Sequence, residues 1–320
     1  MIRRPPRSTL SSSSAASDVY KRQVWHHVAF VIQASQELSY AMNSLVIALV
    51  LGAAFSHALW NMLLKKTENR LLMMTAMHTV TGVMGLFILP MMGPIDGEAW
   101  KLLWLSVFVH GAYYVFLTYS YRHIELGQAY PILRGSGPLI VFLASMYLVD
   151  EVITQYQVLA FFLVAGGIIS LGLRSIRSFL RHPQSLFFTL GTGVLIGSYT
   201  IIDGLGVRSS GNVWAYICWL FVLEMVMVQA YCIYHYRGRT LVELKSLGAK
   251  GIWAGILSAY AYGSVLWAME TSPIMLVSAL RETSVVMASL LGIFFLNERR
   301  DFVKILAAIM VTLGIILMKN

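Results

Sequence analysis

The chain of 320 residues is 58% hydrophobic and only 12% charged, and it carries a formal net charge of +9. Soluble domains contain about 25% charged residues, so this composition excludes a water-soluble globular protein. The only two cysteines, Cys218 and Cys232, fall in one apolar segment, about 21 Å apart on a helix. A disulfide between them is excluded, and the sequence indicates neither a metal site nor a cofactor.

Residues 1–41 are rich in Arg and Ser and lack the apolar core of a secretory signal. They closely resemble the translation of a sequencing-library adapter; the alternative is a disordered basic tail. We expect a non-native or disordered extension, with Met42 as the start of the membrane protein. The remaining residues keep nineteen basic and thirteen acidic side chains, a net charge of +6. Because the basic residues fall between apolar segments, they are no argument for nucleic-acid binding.

Apolar windows of about 20 residues, the length that crosses a bilayer as a helix, recur from residue 44 to the C-terminus. The connections between them are short and polar or charged. The predicted fold class is an all-α membrane protein with ten transmembrane helices in the lipid bilayer. The predicted spans are 44–64, 71–93, 102–121, 128–149, 154–173, 186–206, 212–234, 251–270, 273–297 and 302–318.

The basic side chains predict the orientation. Fourteen Lys and Arg residues lie in the loops after spans one, three, five, seven and nine or, for Lys304, within one turn of such a loop, whereas the alternate loops contain only Lys101 and Arg208. The positive-inside rule then places the odd-numbered loops in the cytoplasm and both termini outside. A bacterial inner membrane is the expected location.

The sequence also contains an internal repeat. When the second half is shifted back by 147 residues, Arg134 aligns with Arg281 and Glu151 with Glu298, and each arginine precedes its glutamate by 17 residues. Each half contains five spans, an odd number, so the second half enters the membrane in the opposite direction. Inverted repeats of this kind are typical of secondary transporters, whose substrate site lies between the halves.

The segments "YPILRGSGPLIVFLASMYLVDE" and "SALRETSVVMASLLGIFFLNER" resemble the paired repeats of EamA-type members of the drug/metabolite transporter superfamily. The resemblance implies ten helices in a 5+5 inverted arrangement, with a first repeat at 42–175 and a second at 186–320. It also implies export or import of a small metabolite. Because such proteins handle amino acids, amines, sugars and organic anions, the resemblance names no substrate.

Arginine inside a membrane span is costly and is therefore a functional candidate. Arg134, which shares a helix face with Tyr130, and Arg281 are expected to line a central cavity, one toward each mouth. There they would bind an anionic or zwitterionic substrate, because a guanidinium offers a planar fork that matches a carboxylate. The alternatives are a buried pair with a carboxylate such as Glu282, acting as a gate latch, or snorkelling.

Further substrate-binding candidates are polar and aromatic side chains that share a helix face within a span. Such side chains suit a wet cavity, although they also suit the interfacial belts of a membrane. They are His57, Trp60 and Asn61 on the first helix, Tyr199 and Asp203 on the sixth, and Trp267 on the eighth.

Glu224 lies in the middle of the seventh span and is the proton-coupling candidate, because burial disfavours the charged carboxylate. The alternative is a protonated carboxyl that hydrogen-bonds a neighbouring helix. Glu151 and Glu298 lie at span ends and are interpreted as structural anchors. Pro131 and Pro138 in the fourth span remove backbone donors and favour an interrupted helix, although prolines are also common in membrane helices.

The sequence therefore predicts a secondary transporter of a small polar metabolite that works by alternating access, without a cofactor. Coupling to protons, and a monomeric or homodimeric state, are left open. The alternatives are an intramembrane enzyme and a non-transporting membrane scaffold. The sequence contains neither a zinc-protease H-E-x-x-H motif nor a P-loop, which excludes metalloprotease chemistry and ATP-driven transport by this chain alone.

Overall fold

A computed structural model describes most of the chain after the predicted N-terminal extension. The described residues are 43–65, 67, 69–120, 126–149, 151, 153–172, 181–236, 240–295 and 302–318. The extension predicted at 1–41 and the anchor predicted at Glu298 lie outside these ranges.

Within these ranges the regular structure is helical, as the apolar windows predict. A short 3-10 turn, Leu89–Met91, follows the second helix, and the eighth helix contains a left-handed residue, Gly248, with φ of 51°. The helices are α1 Ser44–Lys65, α2 Arg70–Ile88, α3 Gly97–Ser120, α4 Leu126–Leu148, α5 Gln155–Gly172, α6 Pro183–Ser209, α7 Val213–Tyr236, α8 Thr240–Thr271, α9 Ile274–Glu282, α10 Ser284–Phe295 and α11 Phe302–Leu317.

Nine helical segments of the described residues are long and apolar enough to cross a membrane, and α11 is a shorter apolar helix. Large apolar side chains such as Phe87, Phe108 and Tyr147 are 75%, 75% and 82% exposed. An exposed apolar surface of this extent is expected of a protein that faces lipid rather than water. The predicted all-α membrane fold is confirmed.

The packing of the helices repeats between the two halves. The first half contains α1 to α5, and the second contains α6, α7, α8, the α9–α10 pair and α11. In the first half, α3 and α4 both pack against α6, the first helix of the second half. In the second half, their counterparts, α8 and the α9–α10 pair, pack against α1, the first helix of the first half. The matching helices α2 and α7 contact each other, as do α5 and α11. This exchange pattern is the one that an inverted repeat produces.

Close contact between α4 and α6 depends on glycine. A Cβ added at Gly197 would lie 2.5 Å from the Cβ of Ile140 and 3.0 Å from the carbonyl oxygen of Gly137. The sequence places Gly193 one turn earlier, and a Cβ there would lie 3.1 Å from the carbonyl oxygen of Leu133. The small-residue spacing therefore brings the two backbones together, as it does between membrane helices generally.

The prediction that prolines interrupt the fourth span was wrong, because α4 is one continuous helix through Pro131 and Pro138. The predicted ninth span instead contains a one-residue break in its α-helical hydrogen bonds, since α9 ends at Glu282 and α10 begins at Ser284, while the Thr283 backbone stays in the right-handed helical region. Between them, the backbone N–H of Thr283 donates to the carbonyl of Leu280, and so does its hydroxyl, at 2.7 Å. The break therefore lies directly beside the intramembrane arginine of the second repeat.

Candidate functional site

Helix α9 packs against α1, α4 and α6 in the interior of the protein, and the two predicted arginines meet there. Arg134 and Arg281 are each 4% exposed, and Glu282 is fully buried. We refer to these three residues as the arginine cluster. The structure therefore brings together side chains from α4 and α9 that lie at equivalent positions in the two repeats.

Both arginines contact the same carboxylate. The Nε of Arg134 lies 2.7 Å from Oε2 of Glu282, while Arg281 donates to Oε1 through Nε at 3.0 Å and Nη2 at 2.9 Å. The two guanidinium groups thus approach the two oxygens from different helices. This differs from the expected arrangement, in which one arginine faces each mouth of a cavity, and it provides the carboxylate partner named as the alternative.

Neutral groups complete the surroundings of the arginines. The Nη2 of Arg134 lies 2.9 Å from Nε2 of His57. Because a guanidinium only donates hydrogen bonds, His57 accepts through Nε2 and is a neutral imidazole. Nη2 of Arg281 donates to Oγ1 of Thr200 at 3.2 Å. His57, a candidate from its helix face, therefore contacts the arginine cluster, and so does Thr200, which was not a candidate.

The other two candidates on α1 make different contacts. Asn61 donates from Nδ2 to the carbonyl of His57 at 2.8 Å, within its own helix. The indole of Trp60 packs edge-on against His57 with centroids 4.7 Å apart. Its Nε1 is buried and has no hydrogen-bond partner among the described residues. Trp60 therefore offers an indole donor beside His57, whereas the hydrogen bond of Asn61 lies within its own helix.

Asp203 is fully buried and is held by hydroxyl groups. It accepts from Tyr216 at 3.1 Å and from Tyr262 at 2.5 Å, and the hydroxyl of Ser106 lies near its carboxylate. These three hydroxyl groups come from α7, α8 and α3. The contacts of Asp203 are thus to the protein's own hydroxyls.

Tyr199 lies near both Asp203 and the arginines. Its ring stacks on His110 with centroids 4.0 Å apart, and it lies within electrostatic range of Arg281, Arg134, Glu282 and Asp203. The next residue of α6, Thr200, contacts Arg281 directly. The part of α6 that carries Tyr199 therefore lies beside the arginine cluster.

Glu224 is 4% exposed and lies between two histidines. Its Oε1 is 3.3 Å from Nε2 of His110, and its Oε2 is 3.7 Å from Nδ1 of His78. His78 in turn contacts the hydroxyl of Tyr114 through Nε2 at 2.7 Å. Sequence reasoning missed His78, although a histidine within a predicted span was a signal for it.

Three candidates remain, of which two lie away from these groups and the third has a side chain outside the described residues. Trp267 packs against the hydrophobic core. The side chain of Tyr130 is outside the described residues. Glu151 accepts at Oε1 from Nη2 of Arg208 at 2.7 Å and from the backbone N–H of Ile274, the first residue of α9, at 2.8 Å. Glu151 therefore ties the end of α4 to the ends of α6 and α9.

The sequence model of the EamA-like transporter family matches this chain twice, at residues 44–173 and 184–319. The chain belongs to the EamA-like transporter family. It is thus a multi-pass integral membrane protein built from two repeats, and its family is one of transporters of the drug/metabolite type. Among the curated proteins none matches it.

A solved structure described only as "Crystal structure of protein" is similar to this EamA-like chain at a TM-score of 0.62. The two are 14% identical, and the similarity covers 86% of this chain and 95% of the other. At this identity the likeness shows a shared fold and nothing about substrate.

Proposed function

We propose that this EamA-like protein is a secondary transporter that moves a small anionic or zwitterionic metabolite across the membrane by alternating access. The observation that carries the proposal is the pair of arginines, one from each repeat, whose guanidinium groups share the carboxylate of Glu282. Packing alone gives no reason for two buried arginines at equivalent positions of a repeat.

The contacts of Glu282 indicate the chemistry that the site accepts. Each of its oxygens lies within 3.0 Å of a guanidinium nitrogen: Arg281 hydrogen-bonds Oε1, and Arg134 forms an ion pair with Oε2, so the carboxylate is held by charge-assisted contacts. A substrate carboxylate, or a phosphonate-like group, has the same acceptors. In a water-filled cavity with low-dielectric walls, such a contact is stronger than in bulk water. The substrate anion would replace Glu282 at one or both arginines.

Alternating access is supported by the symmetry of the packing and by the break at Thr283. Exchange of equivalent helix contacts gives two related arrangements, open on opposite sides. The short helix α9 carries Arg281 and Glu282 at its end, so a change at the break would move both charges relative to Arg134. The ion pairs would then be remade in each arrangement, with the substrate or with Glu282.

The competing function of the arginine cluster is a gate latch, and the Glu282 contacts favour it as well. A latch needs the pairing of Arg134 and Arg281 with Glu282, but it needs no anionic substrate. The two functions therefore differ in the response of the protein to carboxylates.

A ligand-stabilisation screen separates them. Purified full-length protein is melted with a panel of small carboxylates and amino acids, and with amines and neutral sugars of similar size. The proposal predicts stabilisation by carboxylates and a loss of affinity of at least about tenfold in Arg134→Lys and Arg281→Lys. Lysine keeps the charge but loses the fork, and one hydrogen bond to a charged group is worth about 1.5–3 kcal/mol.

Lys101→Gln is the matched control, because Lys101 is 74% exposed and pairs only with Glu98 among the described residues. It changes the net charge without changing the site and should bind as the wild type does. Normal carboxylate affinity in both arginine variants, or stabilisation by amines alone, would refute the anion-binding function.

The proposed location is the bacterial inner membrane, with the odd-numbered loops in the cytoplasm and both termini outside. The distribution of Lys and Arg supports this orientation.

A further inference from the structure

Five charged side chains are buried in the described part of the protein: Arg134, Arg281, Glu282, Asp203 and Glu224. If every carboxyl group is ionised, two positive and three negative charges leave one negative charge in the membrane interior. Uncompensated buried charge is strongly unfavourable. One proton held by a carboxyl or by a neighbouring histidine makes the group neutral.

The hydrogen bonds of His110 place that proton. Nδ1 of His110 lies 3.0 Å from the backbone carbonyl oxygen of Ser106. A carbonyl oxygen only accepts, so Nδ1 carries a hydrogen. Nε2 is then either a bare acceptor, which requires a protonated Glu224 as its donor, or the second N–H of an imidazolium that faces a carboxylate. In both cases one proton lies between Nε2 and Oε1 of Glu224, which are 3.3 Å apart.

A second histidine lies on the other side of Glu224. Nδ1 of His78 lies 3.7 Å from Oε2 and is buried without a hydrogen-bond partner among the described residues. Tyr114 occupies its other nitrogen at 2.7 Å. A polar atom aimed at the carboxyl from α2 is therefore available when the proton or the side chain moves.

The chain of contacts continues from His110 to the second buried carboxyl. Nδ1 of His110 lies 3.2 Å from the hydroxyl oxygen of Ser106, and the same hydroxyl lies near the Asp203 carboxylate. A hydroxyl that donates to Asp203 can accept from His110 through its oxygen. Ser106 is therefore placed to connect Glu224 on α7 with Asp203 on α6.

Ionisable groups face Glu224 from four of the elements that pack against α7, and the 3-10 turn at 89–91 contains none. Tyr216 of α7 itself is also within range. The facing groups are His78 on α2, His110 and Tyr114 on α3, Asp203 on α6, and Tyr262 on α8, which reaches Glu224 only through Asp203.

We propose that Glu224, His110 and His78 form a proton-binding site, and that Ser106 connects it to Asp203 as a relay that couples proton movement to transport. The coupling to transport rests on the proposed function. An anion that enters at the arginine cluster adds a negative charge to the interior, and a second proton taken up by the relay restores neutrality. Tyr199, stacked on His110 and within range of Arg281, lies between the two sites.

The proton site is tested without any substrate by infrared difference spectroscopy of the full-length protein in liposomes as pH is changed. Wild-type protein is expected to show a pH-dependent signal of the Glu224 carboxyl group, a C=O band where the carboxyl is protonated and carboxylate bands where His110 holds the proton, and Glu224→Gln is expected to lose it. Glu224→Asp should retain a shifted band, and His110→Gln should move the pH of its midpoint. Glu98→Gln, which removes an exposed carboxyl, should leave the spectrum unchanged. An unchanged band in Glu224→Gln overturns the site.

The relay is tested by uptake of a labelled carboxylate from the ligand screen into liposomes with and without a pH gradient. Ser106→Ala keeps both carboxyls but cuts the path, so the ratio of gradient-driven to exchange flux should fall at least tenfold. A wild-type ratio in Ser106→Ala overturns the relay. If no carboxylate is transported under any condition, the proposed function fails, while the infrared result still decides the proton site.

Discussion

Glu282→Ala is the substitution that tests the arginine cluster most severely. It removes the carboxylate that two buried guanidinium groups share, and breaking a buried ion pair by removing one partner costs about 3–5 kcal/mol. Because Arg134 and Arg281 both lose this contact, we expect a loss at the upper end of that range. In thermal melts of the purified protein, the variant should unfold well below the wild type.

The same variant leaves space for a small anion between the two arginines. Acetate or formate should restore part of the lost stability, because a ligand at 100 times its Kd contributes about 2.7 kcal/mol. Chloride at equal ionic strength should restore less, since a single spherical ion lacks the two separated oxygens that the two guanidinium groups contact in Glu282. The control is Glu98→Ala: Glu98 is 77% exposed and pairs with Lys101, and loss of an exposed pair costs at most about 1 kcal/mol.

Two results would refute this reasoning. If Glu282→Ala has the same melting temperature as the wild type, Glu282 does not form the buried ion pairs with Arg134 and Arg281 that the structure contains. If acetate and chloride have equal effects on the variant, the two guanidinium groups do not form a carboxylate site.

Three further predictions concern the framework. Gly197→Ala should destabilise the protein by about 1–3 kcal/mol, as overpacking does, because its Cβ meets Ile140 and the α4 backbone; a melting temperature equal to wild type would count against this contact. Glu151→Gln should cost about 1.5–3 kcal/mol in the same melts, since it weakens the ties to Arg208 and to the start of α9; an unaltered melt would remove its anchoring role. In a chain without Cys218 and Cys232, a cysteine at position 250 should react with an impermeant maleimide only from the cytoplasm, and one at position 98 only from outside; the reverse pattern would overturn the orientation.

The membrane fold could be predicted from the sequence because its signals are local. A window of 20 apolar residues needs no knowledge of its neighbours to be a span, and a repeat is visible by comparing the chain with itself. The choice of Arg134 and Arg281 as functional candidates followed equally directly, from the cost of a guanidinium in lipid.

The partners of those arginines could not be ranked from the sequence. Neighbouring residues on a regular helix point about 100° apart and do not face each other, so helix periodicity does not predict the contact between Arg281 and Glu282. The end of α9 at Glu282 carries no proline or glycine signal, and the approach of Arg134 depends on the packing of α4 against α9. The prolines of α4 gave the opposite, wrong expectation, because neighbouring helices and small local adjustments accommodate proline within membrane helices.

The hydroxyl groups around Asp203 could not be predicted from the sequence either. Tyr216, Tyr262 and Ser106 come from three different helices, and no helix face predicts which helix will pack opposite α6. His110 and Tyr114 share a helix face, but the approach of Glu224 to His110 depends on the packing of α7 against α3.

The most direct test of the central claim is exchange of a labelled carboxylate across liposomes that contain the purified full-length protein. The account predicts saturable exchange that competing carboxylates inhibit and amines do not. In Arg134→Lys and Arg281→Lys, the concentration for half-maximal exchange should rise at least about tenfold, the loss of one charged hydrogen bond, while Lys101→Gln should match the wild type. Exchange of a cation instead, or wild-type exchange of the carboxylate in both arginine variants, would contradict the account.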